Sequence, residues 1–247
     1  MNALAWIGDW CLFAARSARA AGAALLLPSA VIKQMHGVLI GALPLAVAAG
    51  ITLGAVIWMH THAVLARTGT VDYLPSILAV AVLLELAPLG AGLIVAARSG
   101  SRLGAELGAM RLGEQIDALE MLGISPMKSL VGPRVLSCMI ALPLVHIIIA
   151  ALALFSGYVA ESLIGHGNWL AYQTACLREL NGREVFASGL KTIVFGFLVG
   201  VAGCYEGLHA EGGTEGVGVA ATSAVVQACL LVLCSDVFMV GTIRLVL

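Results

Sequence analysis

Between Gln34 and Leu65 the chain carries no lysine, arginine, aspartate or glutamate. A helix needs about 20 apolar residues to cross the hydrocarbon core of a bilayer, so this run is long enough to span one. The same thing happens four more times. Tyr73 to Ala97 is interrupted only by Glu85, and Val135 to Ala160 carries no charge. Val185 to Tyr205 encloses the lone Lys191, and Val217 to Ile243 encloses the lone Asp236. Spans are therefore expected at 34–66, 73–97, 135–160, 185–205 and 217–243. With 60% hydrophobic and only 11% charged residues, the chain reads as an all-α integral membrane protein, one domain over 1–247.

Residues 1–30 follow a different pattern. Trp6, Trp10 and Phe13 precede Arg16 and Arg19, with Asp9 inside the run, which suits a helix lying in the membrane interface. A cleaved signal peptide has its positive charge before the apolar stretch. Here the charge follows it, so no cleavage is expected. Arg16, Arg19 and Lys33 precede the first span, and Arg98, Arg102, Arg111, Lys128 and Arg134 lie between spans two and three. Only Arg67 falls between spans one and two. The positive-inside bias puts the amino terminus and the 98–134 block in the cytoplasm. The segment 161–191 has balanced charges and decides nothing.

Within that block, residues 110–122 have helical spacing. Leu112, Ile116 and Leu119 fall on one face and Glu114, Asp117 and Glu120 on another. Gly123 supplies a stop and Ser125-Pro126 a restart. Pattern alone is satisfied by a solvated loop helix, or by one that seats in a groove of a cytoplasmic subunit. Glycines four apart (Gly37 and Gly41, Gly50 and Gly54, Gly100, Gly104 and Gly108, Gly196 and Gly200) predict close packing of some spans.

A charge within a span must face protein or water. A carboxylate at mid-bilayer costs about 2.5–3.5 kcal/mol on insertion scales. If spans four and five run in opposite directions, Lys191 and Asp236 reach similar depth, which allows them to pair with Glu85 nearby. The set reads either as a structural ionic lock or as a lipid-cavity network that grips headgroups.

Other signals are negative. The six cysteines contain no CxxC and read as small apolar residues. His60 and His62 point to different helix faces, His146 stands alone, and no metal site is expected. Gly216, Gly218 and Ala221 match a dinucleotide string with no strand before it, and Lys191-Thr192 lacks the glycine of a phosphate loop. No cofactor, no ATPase motif and no basic tract for nucleic acid is found.

Several ordered motifs resemble the MlaE (YrbE-type) family of ABC permeases associated with MCE proteins. They are Glu85-Leu86-Ala87-Pro88, Ala97-Arg98-Ser99-Gly100, Ala105-Glu106-Leu107-Gly108-Ala109-Met110, Glu114-Gln115-Ile116-Asp117-Ala118-Leu119-Glu120 and Pro133-Arg134-Val135-Leu136. Lys191 with Phe195-Gly196, Cys204-Tyr205-Glu206-Gly207, Gly212-Gly213, Gly216-Val217-Gly218, Ala224-Val225-Val226 and Asp236 continue the pattern, over roughly residues 30–247. Leu84, Val219 and Ser223 stand where that family commonly has basic residues.

The resemblance implies a multi-pass permease subunit of the bacterial inner membrane that lacks ATPase activity of its own. It implies a second permease copy in a homodimer, a cytoplasmic ABC ATPase subunit, an MCE-domain periplasmic protein and, in many systems, a STAS-domain protein. The implied cargo is phospholipid or a related lipid moved between inner membrane and outer envelope, in a cavity between the two copies lined mainly by spans one, two and five. Glu114, Gln115, Ile116, Asp117, Leu119 and Glu120 then belong to the ATPase-coupling helix. An ion-coupled secondary transporter is the alternative, but no inverted repeat supports it. An intramembrane enzyme lacks a nucleophile and base at usable spacing.

Overall fold

The computed structural model describes residues 3–164 and 168–246. Among them the chain forms eight helices: α1 (Ala3–Ala24), α2 (Pro28–Thr68), α3 (Val71–Leu112), α4 (Gln115–Met121), α5 (Met127–Leu163), α6 (Trp169–Arg178), α7 (Gly182–Leu208) and α8 (Gly213–Val246). Five of these, α2, α3, α5, α7 and α8, are long and apolar enough to cross a membrane. The molecule is an all-α, multi-pass integral membrane protein. Residues 1 and 2 and the Trp6 side chain, part of the expected interfacial stretch, lie outside the described residues.

Glycines, where any side chain would collide with the neighbouring helix, set the closest helix contacts. A Cβ on Gly54 would fall within contact distance of the Ala153 carbonyl and the Ser156 hydroxyl, and one on Gly50 would lie 2.8 Å from Leu152. So α2 lies directly on α5. Gly196 sits on the backbone of Cys138 and Met139, which brings α7 equally close to α5. Of the glycine pairs, Gly41 packs against nothing, and Gly37 instead makes room for the Arg102 guanidinium. Near the other end of α2, Trp58 Nε1 donates to Glu161 Oε2 at 2.6 Å and its ring stacks on His62 at 4.9 Å. Glu161→Ala leaves that buried indole N–H without an acceptor and is expected to cost about 1–3 kcal/mol. A thermal unfolding series in detergent measures it.

The described part of the amino-terminal segment is a helix docked on the bundle. Ala20 lies against Gly132, and the Phe13 ring meets Tyr205 edge-on at 5.4 Å. Arg16 and Arg19 stay exposed.

Several helices run past the expected span ends: α2 begins at Pro28, α5 at Met127, and the helix that holds the second expected span does not end at 97 but continues to Leu112. The charges that suggested a loop are paired: Arg102 with Glu106 at 2.9 Å, Arg134 with Glu106 at 3.7 Å, and Arg102 with Gln34 at 3.1 Å. Gly104 meanwhile lies on α8, where a Cβ would be 2.9 Å from the Ala220 carbonyl. Once paired and packed, these residues need no exit from the helix. The expected helix over 110–122 is consequently shorter and begins at Gln115. Met110 and Leu112 belong to α3, and Glu114 occupies the left-handed region at φ 55° between the two helices.

The segment 161–191 also held a helix that charge balance did not show. Asn168 caps α6 by accepting from Leu170 N at 3.1 Å, and Asn181 caps α7. The helix α6 packs across the start of α3. Ser76 Oγ donates to the Ala175 carbonyl at 2.8 Å, and Tyr172 donates to the Leu154 carbonyl at 3.2 Å. Burial pushes the Cys176 thiol up to about 11, so it stays protonated and donates to the Pro75 carbonyl. Cys138, Cys176 and Cys204 are buried free thiols.

Candidate functional site: a charged triad beneath an apolar cavity

Pro88 has no N–H, so the carbonyl four residues earlier, that of Leu84, cannot receive its helical hydrogen bond. The chain responds with a π turn over Val82–Leu86, in which Ala87 N bonds to the Val82 carbonyl and frees the carbonyl of Leu83 as well. Two orphan acceptors at membrane depth need donors. α7 provides both. Ser188 Oγ donates to Leu83 O at 2.7 Å, and Lys191 Nζ lies 3.5 Å from Leu84 O.

The same ammonium sits 2.8 Å from Glu85 Oε2 and 2.8 Å from Asp236 Oδ1. The Glu85 contact is a directed hydrogen bond, whereas the Asp236 oxygen lies off the hydrogen-bonding direction and interacts as an ion pair. Lys191 is 1% exposed, the Asp236 side chain 15% and the Glu85 side chain 44%. Glu85, Lys191 and Asp236 are thus brought together. The π turn matters here because the extra residue rotates Glu85 toward α7 while part of its carboxylate stays open.

What it opens onto is a cavity of about 890 Å³. Its wall is mostly apolar, formed by Ile77, Val80, Ala81 and Leu84 of α3 with Val240 and Ile243 of α8. Tyr73 and Ser76 of α3, Ser188 and Glu184 of α7, and Glu179 just before α7 complete the wall. Within one copy this cavity is lined from α3, α7, α8 and the segment just before α7, and by no residue of α2 among the described residues. Without the cap at Asn181 and the packing of α6 on α3, Glu179 and Glu184 would not stand at the mouth.

At the opposite end of α3 lies α4. Ile116 is 3% exposed and anchors the short helix, with Leu119 half-buried behind it. Asp117 pairs with Arg111 across the break at Gly113-Glu114. Gln115 and Glu120 are exposed. The expected apolar face is reduced to Ile116 and Leu119, because Leu112 lies on α3 and is exposed. Sequence reasoning missed Met121 and Leu122, which are 89% and 74% exposed. The helix ends where Gly123 takes φ 74° and Ile124 N bonds back to Leu119 O at 2.9 Å. A helix stop placed right after two large apolar residues was the available signal.

A membrane bundle with an internal ion triad could serve many functions, and comparison with known proteins narrows them. The permease MlaE family model matches residues 31–241. This chain belongs to the MlaE permease family. Among relatives of the MlaE-type chain described here, a probable ABC transporter permease protein of Rickettsia prowazekii is 33% identical over 208 residues, covering 84% of this chain and 80% of that protein. A probable ABC transporter permease protein of a Synechocystis species is 35% identical over 175 residues, covering 69% and 65%. The intermembrane phospholipid transport system permease protein MlaE of Haemophilus influenzae is 28% identical over 211 residues, covering 83% and 79%. In this MlaE permease the match includes the π turn, the triad and α4.

Proposed function

We propose that this chain is the membrane-spanning subunit of an ATP-driven transporter that moves phospholipid or a related lipid between the bacterial inner membrane and the outer envelope. One observation carries the reading. A single helix, α3, has a mostly apolar cavity of about 890 Å³ at its start and, at its end, a short helix followed by the exposed apolar residues Met121 and Leu122. Its 42 residues extend about 60 Å at helical rise. A push on α4 reaches the cavity wall through one continuous element. Gly104 and Gly108 hold that element against α8, whose Val240 and Ile243 form the opposite wall.

In this reading a cytoplasmic ABC ATPase receives α4, with Ile116 as anchor, Glu114, Gln115, Asp117, Leu119 and Glu120 as its neighbours, and Met121 and Leu122 as the exposed apolar contact. An MCE-domain protein receives lipid on the far side, a STAS-domain protein binds the ATPase, and a second copy closes the cavity. The chain supplies no hydrolysis. ATP-driven closure of the ATPases shifts α3 against α8 and changes the cavity volume. The partners and the cargo follow family membership and the name of the Haemophilus relative.

The test is coupling. Glu114 and Glu120 are exposed and form no ion pair among the described residues, so charge reversal there perturbs docking without breaking the fold. Glu114→Lys or Glu120→Lys is expected to leave the subunit inserted and at least half of the ATPase activity, while lipid transfer between vesicles falls about tenfold. Normal transfer in both variants, or transfer by the chain without a hydrolysing partner, rejects the reading. Persistence of transfer under an ion gradient without ATP favours an ion-coupled carrier instead.

A further inference from the structure

We propose that Glu85 is the receptor for a cationic headgroup, so that the cavity takes lipids bearing a free ammonium in preference to lipids whose headgroup is only anionic. The proposal rests on the lipid-transport reading of the same cavity.

It starts from charge arithmetic. Two carboxylates, Glu85 and Asp236, share one ammonium, Lys191. The triad therefore holds a net charge of minus one at membrane depth, where an uncompensated carboxylate is costly. Lys191 cannot provide more, because it is fully buried and directed at Glu85, Asp236 and the Leu84 carbonyl. Glu85 is the member of the triad that lines the cavity, and its Oε1 has no partner in the protein among the described residues. Within one copy, the open side of the Glu85 carboxylate is the cavity side.

The rest of the cavity repeats the same sign. Glu179 and Glu184 stand at the mouth, and among the described residues no lysine, arginine or histidine lines the wall. Arg183 faces a separate groove with Phe186 and Leu190. A wholly anionic headgroup would meet three carboxylates, with no basic side chain among the described lining residues to offset them. A primary ammonium would meet two at entry and a hydrogen-bond acceptor of the right charge at the floor, and the apolar wall between would hold acyl chain.

The experiment uses the intact transporter in detergent and three lipids with the same fluorescent acyl chain: phosphatidylethanolamine, its N-acetylated form, and phosphatidylglycerol. Competition binding is expected to favour phosphatidylethanolamine by about tenfold or more over either of the others. Glu85→Gln and Asp236→Asn each leave one carboxylate for Lys191 and make the triad neutral, so each is expected to bring the ratio close to one with the protein still folded. Equal binding of the three lipids to the unmodified protein, or a ratio unchanged in both variants, overturns the headgroup role and leaves the lipid reading standing. No binding of any lipid overturns both.

Discussion

Lys191→Met is expected to destabilise the protein by about 3–5 kcal/mol. Removing the ammonium leaves two carboxylates facing each other at membrane depth, and breaking a buried pair in this way costs far more than the pair contributes. It also removes the donor for the Leu84 carbonyl, which Pro88 has already deprived of its helical partner. The measurement is chemical or thermal unfolding in micelles. The decisive control adds Glu85→Gln and Asp236→Asn to Lys191→Met, because a triad without charge has nothing left to neutralise. The triple variant is expected to recover most of the lost stability. If the single variant is as stable as the parent, the triad is not the ion-paired element described above. If the triple variant is no better than the single, lost packing around a fully buried side chain is the cause instead.

Gly196→Leu is the second large effect. A Cβ there would lie 2.5 Å from the Cys138 carbonyl oxygen and 2.7 Å from Met139 Cα. Both are backbone atoms of α5, and no rotamer change relieves them. Overpacking usually costs about 1–3 kcal/mol where side chains can move. Here two helices have to separate along their length, so the loss should exceed that range, and the folded fraction recovered by size exclusion after extraction should fall sharply. Gly189→Leu, on the same helix and facing open space, is the matched control and should behave like the parent. Equal recovery of the two variants would mean that α7 and α5 are not held in backbone contact.

Much of the fold was legible because a bilayer leaves few options. Five long apolar runs, two of them uncharged and three with a single charge, predicted five spans, and five helices long and apolar enough to cross a membrane are present. The interior of each run was easy to read and the ends were not. Charge marks an end only when it is unpaired, and Arg102, Glu106 and Arg134 pair with residues from other helices. A local reading therefore stopped α3 at 97 when packing carries it to 112. The helix α6 escaped for a related reason. Its charges cancel within the segment, and the Asn168 cap that reveals it is a signal about the backbone and says nothing of hydropathy.

The candidate site shows the same division. Glu85, Lys191 and Asp236 stood out in sequence because each interrupts an apolar run, and opposed spans put two of them at one depth. Sequence could not show that Lys191 is shared by both acids, that Asp236 is the more enclosed of the two, or that Glu85 opens into a cavity. Met121 and Leu122 went unnoticed because an apolar pair at a helix end looks like core until the neighbouring helices are in place.

By itself the sequence determined the solvent of this protein, the number of its spans, and which charges could not be left facing lipid. Those properties depend on the local balance between apolar length and the cost of dehydrating charge, and that balance is additive along the chain. Only the tertiary structure decided where α3 ends, which acid faces the cavity and which residues of α4 are presented. Those depend on contacts between helices far apart in sequence, where a single glycine or a shared ammonium determines which atoms can meet.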